Sequence, residues 1–351
     1  MSDHCSTDKL HSLVASDYQI DRDNLCLWDQ SLWQQIVELG WPAVCVPEAN
    51  GGIGMPLVAA VALAEEIGKA GFPSPLLGIF NSTFVLRACD SAAAHQALAS
   101  IAGGKTMTLA ITNAAGSWHS DHTDVEVNKD GSLTGNAYFV QDARKCEQFL
   151  VSARGDKGVG LYLVDASASG LTLIPDSIVD LTRDQAHLSF SDVAAVEMAS
   201  PGKGSDAIAN AIPAILCIVS ADMVGAGEWL LQTTVEYAKT RIQFDHPLGF
   251  FQAVKHPIVD MMIQTDETRS LVYNAACAFD YDKEDALRCA HLAKSNASDT
   301  ASLSSQRSTQ LHGGIGFTWE ADIQIYHKRQ IHSQFLFGDG TWQRKKLAEL
   351  I

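Results

Sequence analysis

The sequence predicts an α+β chain built as three consecutive units: helical, then β, then helical again. Three observations predict it. Apolar residues recur at helical spacing through the first ~105 residues. Short β-like runs separated by turn residues fill the next stretch, and long segments with few breakers follow from about residue 201. The composition agrees, because 46% of the 351 residues are hydrophobic, 19% charged and 8% aromatic, as in a globular chain rather than a disordered or collagenous one. The shifts in pattern place the boundaries at 1–105 (α-helical), 106–200 (β) and 201–351 (α-helical).

In the first unit, Leu32, Trp33, Ile36, Val37 and Leu39 share a helical face, and Gly40 is placed to end that helix. Val58 to Ala70 forms a second helical stretch, closed by Gly71 and the breaker Pro73-Ser74-Pro75. Between them lie Val44 to Glu48 and the glycine loop Gly51-Gly52-Ile53-Gly54. The β unit reads as Met107 to Ile111, Val125 to Val127, Ala137 to Val140, Phe149 to Ala153 and Gly160 to Val164. Leu171 to Ile174, His187 to Phe190 and Ala195 to Met198 continue it, with turns such as Asp130-Gly131-Ser132 between runs. The last unit predicts helices over Ile208 to Tyr237, Gln252 to Phe279, Lys283 to Leu311 and Ala321 to His332. No 20–50-residue period repeats, which excludes a solenoid.

Charge and motif content narrow the function classes. With 25 basic and 41 acidic residues the net charge is −16, which disfavours phosphate backbones and anionic membranes as partners. The longest apolar run, Ile212 to Val219, is far short of the ~18–20 residues of a membrane span. Met1 to Asp8 shows no secretory pattern, so a cytoplasmic chain is expected. The eight cysteines stand singly and the histidines do not pair with them at ligand spacing, so no metal site is expected. Gly225-Ala226-Gly227 sits inside a helical run and Gly313-Gly314-Ile315-Gly316 follows a helix, which rejects a dinucleotide-binding βαβ turn.

Three blocks carry a family resemblance instead. Leu39 to Glu48, followed by Gly51-Gly52-x-Gly54 and Glu65-Glu66-x-Gly68, resembles the N-terminal domain of acyl-CoA dehydrogenases. Tyr237 to Phe244, then Pro247-Leu248-Gly249 and Phe251 to His256, resembles that family's first C-terminal helix and its turn. Gln310-Leu311-His312-Gly313-Gly314-Ile315-Gly316-Phe317-Thr318 resembles the glycine motif further on. The order and spacing of the blocks and the α–β–α pattern all fit that fold, over nearly the whole chain.

The resemblance implies flavin adenine dinucleotide (FAD) lying across a subunit interface. Arg241, Phe244, Gln252, Gln310, Gly313 and Gly314 match the positions that hold the pyrophosphate and adenosine end of a neighbour's flavin. A guanidinium fork suits a pyrophosphate, and glycine lets backbone N–H groups approach closely. The bland alternative for either motif alone is a surface arginine or a glycine pair ending a helix. On the flavin-ring side, Ala110 to Ser117 resembles the strand and loop facing flavin and pantetheine, which assigns Thr112 to the flavin and Ser117 to the substrate. Thr341 and Gln343 are assigned to the cofactor in the same way.

That half departs from the family pattern. Asn113 stands at an acidic position, Trp118 at an Asp, and Phe139-Val140-Gln141 where the family has Trp-Ile-Thr. Leu216 takes the place of an active-site arginine, and Ile215 that of a glutamate catalytic in some branches. In Gly338-Asp339-Gly340-Thr341-Trp342-Gln343 the usual Glu of the base motif is Asp339, about one C–C bond shorter. Asp339 is therefore either the base that removes the α-proton of an acyl-CoA thioester or a turn residue between two glycines.

The implied function is a subunit of an FAD-dependent acyl-CoA dehydrogenase performing α,β-dehydrogenation, with an electron-transfer flavoprotein as acceptor. The short chain and the Phe-Gly-Asp segment resemble subunits of the heteromeric α2β2 branch acting on steroid side-chain CoA esters. The alternatives are a non-catalytic subunit completing a partner's FAD site, and a flavin oxidase or monooxygenase on the same fold.

Overall fold

The computed structural model describes Leu10 and residues 29–350. The N-terminal segment read for a secretory signal, with Cys5 and Cys26, lies outside the described residues. Between residues 29 and 105 lie four helices: α1 (Gln30–Glu38), α2 (Leu57–Ala70), α3 (Leu76–Arg87) and α4 (Ala92–Ala102). Asp29 caps α1 by accepting from the Leu32 amide at 3.0 Å, and Leu32, Trp33 and Ile36 form its buried face. Gly71 ends α2 at φ 58°, in the left-handed conformation that only glycine adopts freely. Helix α3 starts immediately after the Pro-Ser-Pro breaker and is buried from Leu76 to Leu86, so no amphipathic period marks it.

Eight strands follow: β1 (Met107–Ala110), β2 (Asp124–Val127), β3 (Leu133–Gln141), β4 (Gln148–Gly155), β5 (Gly158–Asp165), β6 (Leu171–Pro175), β7 (Gln185–Val193) and β8 (Val196–Ala199). They form one sheet in the order β6-β7-β3-β2-β4-β5-β8, with β1 lying parallel to β4 off that path. Every predicted run is a strand, each within a few residues of its expected bounds. The sheet has its own core, including Val125, Phe149, Val151, Leu188 and Phe190.

The chain then returns to helix: α5 (Gly204–Thr240), α6 (Gln252–Tyr281), α7 (Lys283–His312), α8 (Ile323–Ser333) and α9 (Gly340–Ala348). A two-strand hairpin, β9 (Ile242–Gln243) and β10 (His246–Pro247), links α5 to α6. The architecture is thus an N-terminal helical part, a central sheet and a C-terminal helical bundle. Helices α3, α4 and α9 are additions to the individually expected helices; the start of α9 coincides with the Gly-Asp-Gly segment, which also reads as a turn.

Helix α5 is the spine. At 37 residues it is long and apolar enough to cross a membrane, but 83% of its apolar window is buried inside the chain, so it is a core helix. Gly225 on this helix and Gly68 on α2 have a packing reason. A Cβ at Gly225 would lie 1.8 Å from the Glu65 carbonyl oxygen on α2, and one at Gly68 would lie 2.0 Å from that of Asp222. Helices α2 and α5 therefore cross backbone against backbone, which explains glycines inside helices despite their cost there.

Candidate functional site

The residues expected at the adenosine and pyrophosphate end gather at one end of the C-terminal bundle. Helices α5 and α7 finish together there, tied by Thr234 Oγ1 to Ser308 Oγ at 2.8 Å and by the Tyr237 ring stacked on His312 at 4.4 Å. Arg241 follows Tyr237 by one turn, and Gly313 follows His312 directly, so the two motifs become neighbours. Gln252 opens α6 at the far side of the hairpin.

The hairpin tip is strained. Phe244 and Asp245 have φ of 53° and 61°, the paired left-handed values of a tight hairpin turn for which Asn-Gly is the usual choice. Phe244 is 84% exposed, so a large aromatic is presented to solvent at a conformational cost. Arg241, Gln252 and Gln310 are also exposed, and their side chains make no hydrogen bond or ion pair among the described residues. A Cβ at Gly313 or Gly314 would meet nothing, so the backbone there faces open space. Unpaired donors, an open glycine backbone and an exposed ring fit a nucleotide's pyrophosphate and base.

The flavin-ring side is built differently. Thr112 is buried at the end of β1, and its carbonyl accepts from the Tyr138 amide at 2.9 Å. Thr112, Trp118, Phe139, Gln141, Leu336 and Phe337 line a cavity of only about 30 Å³. A ligand site for a molecule of drug size or larger spans roughly 300–1,000 Å³. The Trp118 and Phe337 rings meet across it, 4.5 Å between centroids. Gln141 is locked from both ends: its amide nitrogen donates to Gln185 Oε1 at 2.6 Å and to the Phe139 carbonyl at 3.1 Å, and its oxygen pairs with His332 Nε2 at 3.1 Å. A bulge in β3 between Ala137 and Val140 puts Phe139 at φ 55°. The residues of this half, as they stand, do not fit a three-ring flavin.

The remaining expected residues have local tasks. Asp339 is the N-cap of α9, its Oδ1 accepting from the Trp342 amide at 2.8 Å, and it is not among the cavity-lining residues. Gln343 is fully buried; its amide nitrogen donates to the Phe337 carbonyl at 2.6 Å, and its oxygen pairs with His291 Nδ1 at 2.6 Å. Its polar atoms are thereby used within the chain. Thr341 is exposed on the first turn of α9. The Ser117 hydroxyl pairs with His122 Nδ1 at 2.8 Å in the loop beside Trp118. Leu216 and Ile215 are buried in the apolar core of α5, within the same cluster as α2 and α3. Asp142, the one carboxylate lining the cavity, is paired with Lys145 at 2.6 Å.

Two groups were not singled out in the sequence. Asp222 on α5 holds both Arg183 and Arg329 at 2.5 Å, and Asp180 lies beside the same two guanidinia. Burial acts to raise the Asp180 carboxyl, but Arg329 and Arg183 outweigh it and hold the carboxyl below its ordinary range. Lys294 on α7 is fully buried. Burial pushes its ammonium down to about 7, against the pull of Asp339 and Asp299. A charged residue on the buried alanine stripe Ala290, Ala293, Ala297 and Ala301 was the available signal for Lys294.

Comparison with known proteins decides the family. Residues 14–105 match the acyl-CoA dehydrogenase N-terminal domain and residues 202–351 the acyl-CoA dehydrogenase C-terminal domain. Acyl-CoA dehydrogenase IpdE2 of Mycobacterium tuberculosis is 32% identical over 304 residues, covering 86% of this chain and 80% of that protein. The chain belongs to the acyl-CoA dehydrogenase family. The caffeyl-CoA reductase-Etf complex subunit CarC of Acetobacterium woodii is 25% identical, over 91% of this chain and 88% of CarC. The solved Tcur3481-Tcur3483 steroid ACAD, G363A variant, superposes with a TM-score of 0.85 at 27% identity, over 99% of this chain and 93% of that one. Acyl-CoA dehydrogenases are FAD flavoproteins, and this chain is accordingly an FAD-dependent oxidoreductase of the acyl-CoA type. The dehydrogenase reading fits these matches, and the oxidase and non-catalytic readings are not favoured by them.

Proposed function

We propose that this chain works as one subunit of an α2β2 acyl-CoA dehydrogenase, sharing the work of dehydrogenation with a related partner chain and contributing the adenosine and pyrophosphate half of their common flavin site. The contrast between its two half-sites carries this reading. Arg241, Phe244, Gln252, Gln310, Gly313 and Gly314 are exposed and available, whereas the cavity at Thr112 and Gln141 holds about 30 Å³. In a homo-oligomer every site needs both halves, so closing one half would disable all sites together. With a different partner, two flavins serve four chains and the closed half costs nothing.

Bound flavin supplies the two-electron acceptor for the β-hydrogen of the thioester. The side chains of this subunit bind and orient: Arg241 against the pyrophosphate, Phe244 against the adenine, Gln252 and Gln310 as hydrogen-bonding groups, and the Gly313 backbone at close range. Asp339 caps α9 away from the cavity, which favours a carboxylate of the partner over Asp339 as the base that removes the α-proton, and Thr341 and Gln343 lie in the first turn of the same helix. The Tcur3481-Tcur3483 relative supports a steroid CoA ester as substrate and a two-component assembly. The CarC relative supports an electron-transfer flavoprotein as redox partner. A cytoplasmic location follows from that chemistry. Residues 106–200, lying between the two matched regions, constitute the middle β domain.

The test is native mass together with flavin per chain, for this protein alone and co-expressed with an acyl-CoA dehydrogenase-like partner. A flavin-poor chain alone and two flavins per four chains in the complex are expected. A homotetramer carrying one flavin per subunit and oxidising acyl-CoA unaided would overturn the proposal.

A further inference from the structure

The segment between α8 and α9 has more holding it than a connecting loop needs. Phe337 sits at φ 57°, a left-handed conformation that a bulky residue enters only when its surroundings impose it. Two buried donors hold the carbonyls of this residue and the next. Gln343 Nε2 donates to the Phe337 carbonyl at 2.6 Å. Lys294 Nζ donates to the next carbonyl, that of Gly338, at 2.8 Å. The Lys294 ammonium spends its other hydrogen bonds on the Gln334 carbonyl at 3.0 Å and Ser298 Oγ at 2.8 Å, so all three protons are used on this segment and its own helix. The strained conformation directs the Phe337 ring onto Trp118. Gly338 is left with no room for a side chain, because a Cβ there would lie 2.4 Å from the Trp342 ring.

We infer that Trp118 and Phe337 form a plug that closes this chain's own flavin-ring cavity, and that Lys294 and Gln343 are the positioning residues that pin it shut. The inference deepens the proposed function and rests on it for its meaning: the plug is what makes this chain a donor of half a site. A buried lysine on an otherwise alanine-lined stripe then has a task that a methionine of similar length would not perform. Two of its three acceptors, the Gln334 and Gly338 carbonyls, lie at the two ends of the 334–338 segment, which a single hydrogen bond would leave free to swing.

The experiment is fluorine NMR of the full chain labelled with 5-fluorotryptophan, with Trp118 and Trp342 assigned through W118F and W342F. In Lys294→Met the Trp118 and Trp342 signals are expected to shift by more than a linewidth, while that of Trp229, which stacks on Tyr326 in a separate apolar cluster, stays in place. Phe337→Gly, which accepts the left-handed φ without strain and deletes the ring, is expected to move Trp118. Gln343→Met is the second pin variant and should reproduce the Lys294→Met pattern if the latter does not fold. An unmoved Trp118 signal in the pin variants, or Trp229 shifting along with it, would refute the pin. An unmoved Trp118 in Phe337→Gly would refute the plug. No flavin enters the measurement, so its outcome is independent of the stoichiometry that tests the proposed function.

Discussion

Replacing Asp222 with asparagine attacks the charge cluster that joins α5, α8 and the segment before β7. Asp222 is fully buried, and each of its oxygens is taken by a different arginine, Arg329 on Oδ1 and Arg183 on Oδ2. With Asp180 the cluster holds two positive and two negative charges, so it is neutral inside the protein. Asp222→Asn would leave an excess positive charge and turn an NH2 group toward one guanidinium. Removing one partner of a buried ion pair costs about 3–5 kcal/mol, mostly as the penalty for the charge left behind. The shape is nearly unchanged, so loss of packing contributes little. Urea unfolding followed by circular dichroism measures the loss. Pairing Asp222→Asn with Arg329→Met should recover part of it, since the surplus charge goes with the arginine. A loss below about 1 kcal/mol in the single variant, or simple additivity in the double, would refute the claim that charge compensation holds the cluster.

Four further outcomes follow from the same geometry. Arg241→Ala should weaken flavin binding in the assembled complex by about ten- to a hundredfold, for a lost charged hydrogen bond of ~1.5–3 kcal/mol, with the thermal midpoint of the flavin-free chain unchanged; absorbance near 450 nm reads the occupancy. Asp339→Ala should cost about 1 kcal/mol of cap stability, while Asp339→Asn keeps the cap and full turnover in the complex; a dead Asp339→Asn variant would restore Asp339 as the base. Gly225→Ala forces a Cβ onto the Glu65 carbonyl and should destabilise the fold by about 1–3 kcal/mol or more, measured by the same unfolding assay. Burial pushes His332 from 6.5 down to about 4, so the unfolded chain binds its proton first. That contribution to stability is intact above pH 6.5, falls as the pH drops from there to about 4, and is absent from His332→Gln.

The part of this protein that is legible in its sequence is the part set by short-range physics. The α–β–α order follows from a periodicity that switches from helical to alternating and back, and each such pattern commits a segment to one way of burying its apolar face. Arg241, Phe244 and Gly313, which we propose for the adenosine end, were legible as a group because they sit in contiguous motifs whose spacing survives folding. Helices α3 and α9 left weaker traces: α3 is apolar all round, and α9 begins at a Gly-Asp-Gly that reads equally as a turn. The rest exists only once the chain is packed. Gly225 and Gly68 are explained only once α2 lies across α5. Asp222, Arg183 and Arg329 lie far apart along the chain and become a cluster only when three elements converge. Whether Trp118 replaces a polar contact or fills a cavity depends on Phe337 meeting it from the far end of the chain, with Lys294 and Gln343 behind. Such a contact joins residues with no sequence relation, so its energy and its consequence exist only in the packed molecule.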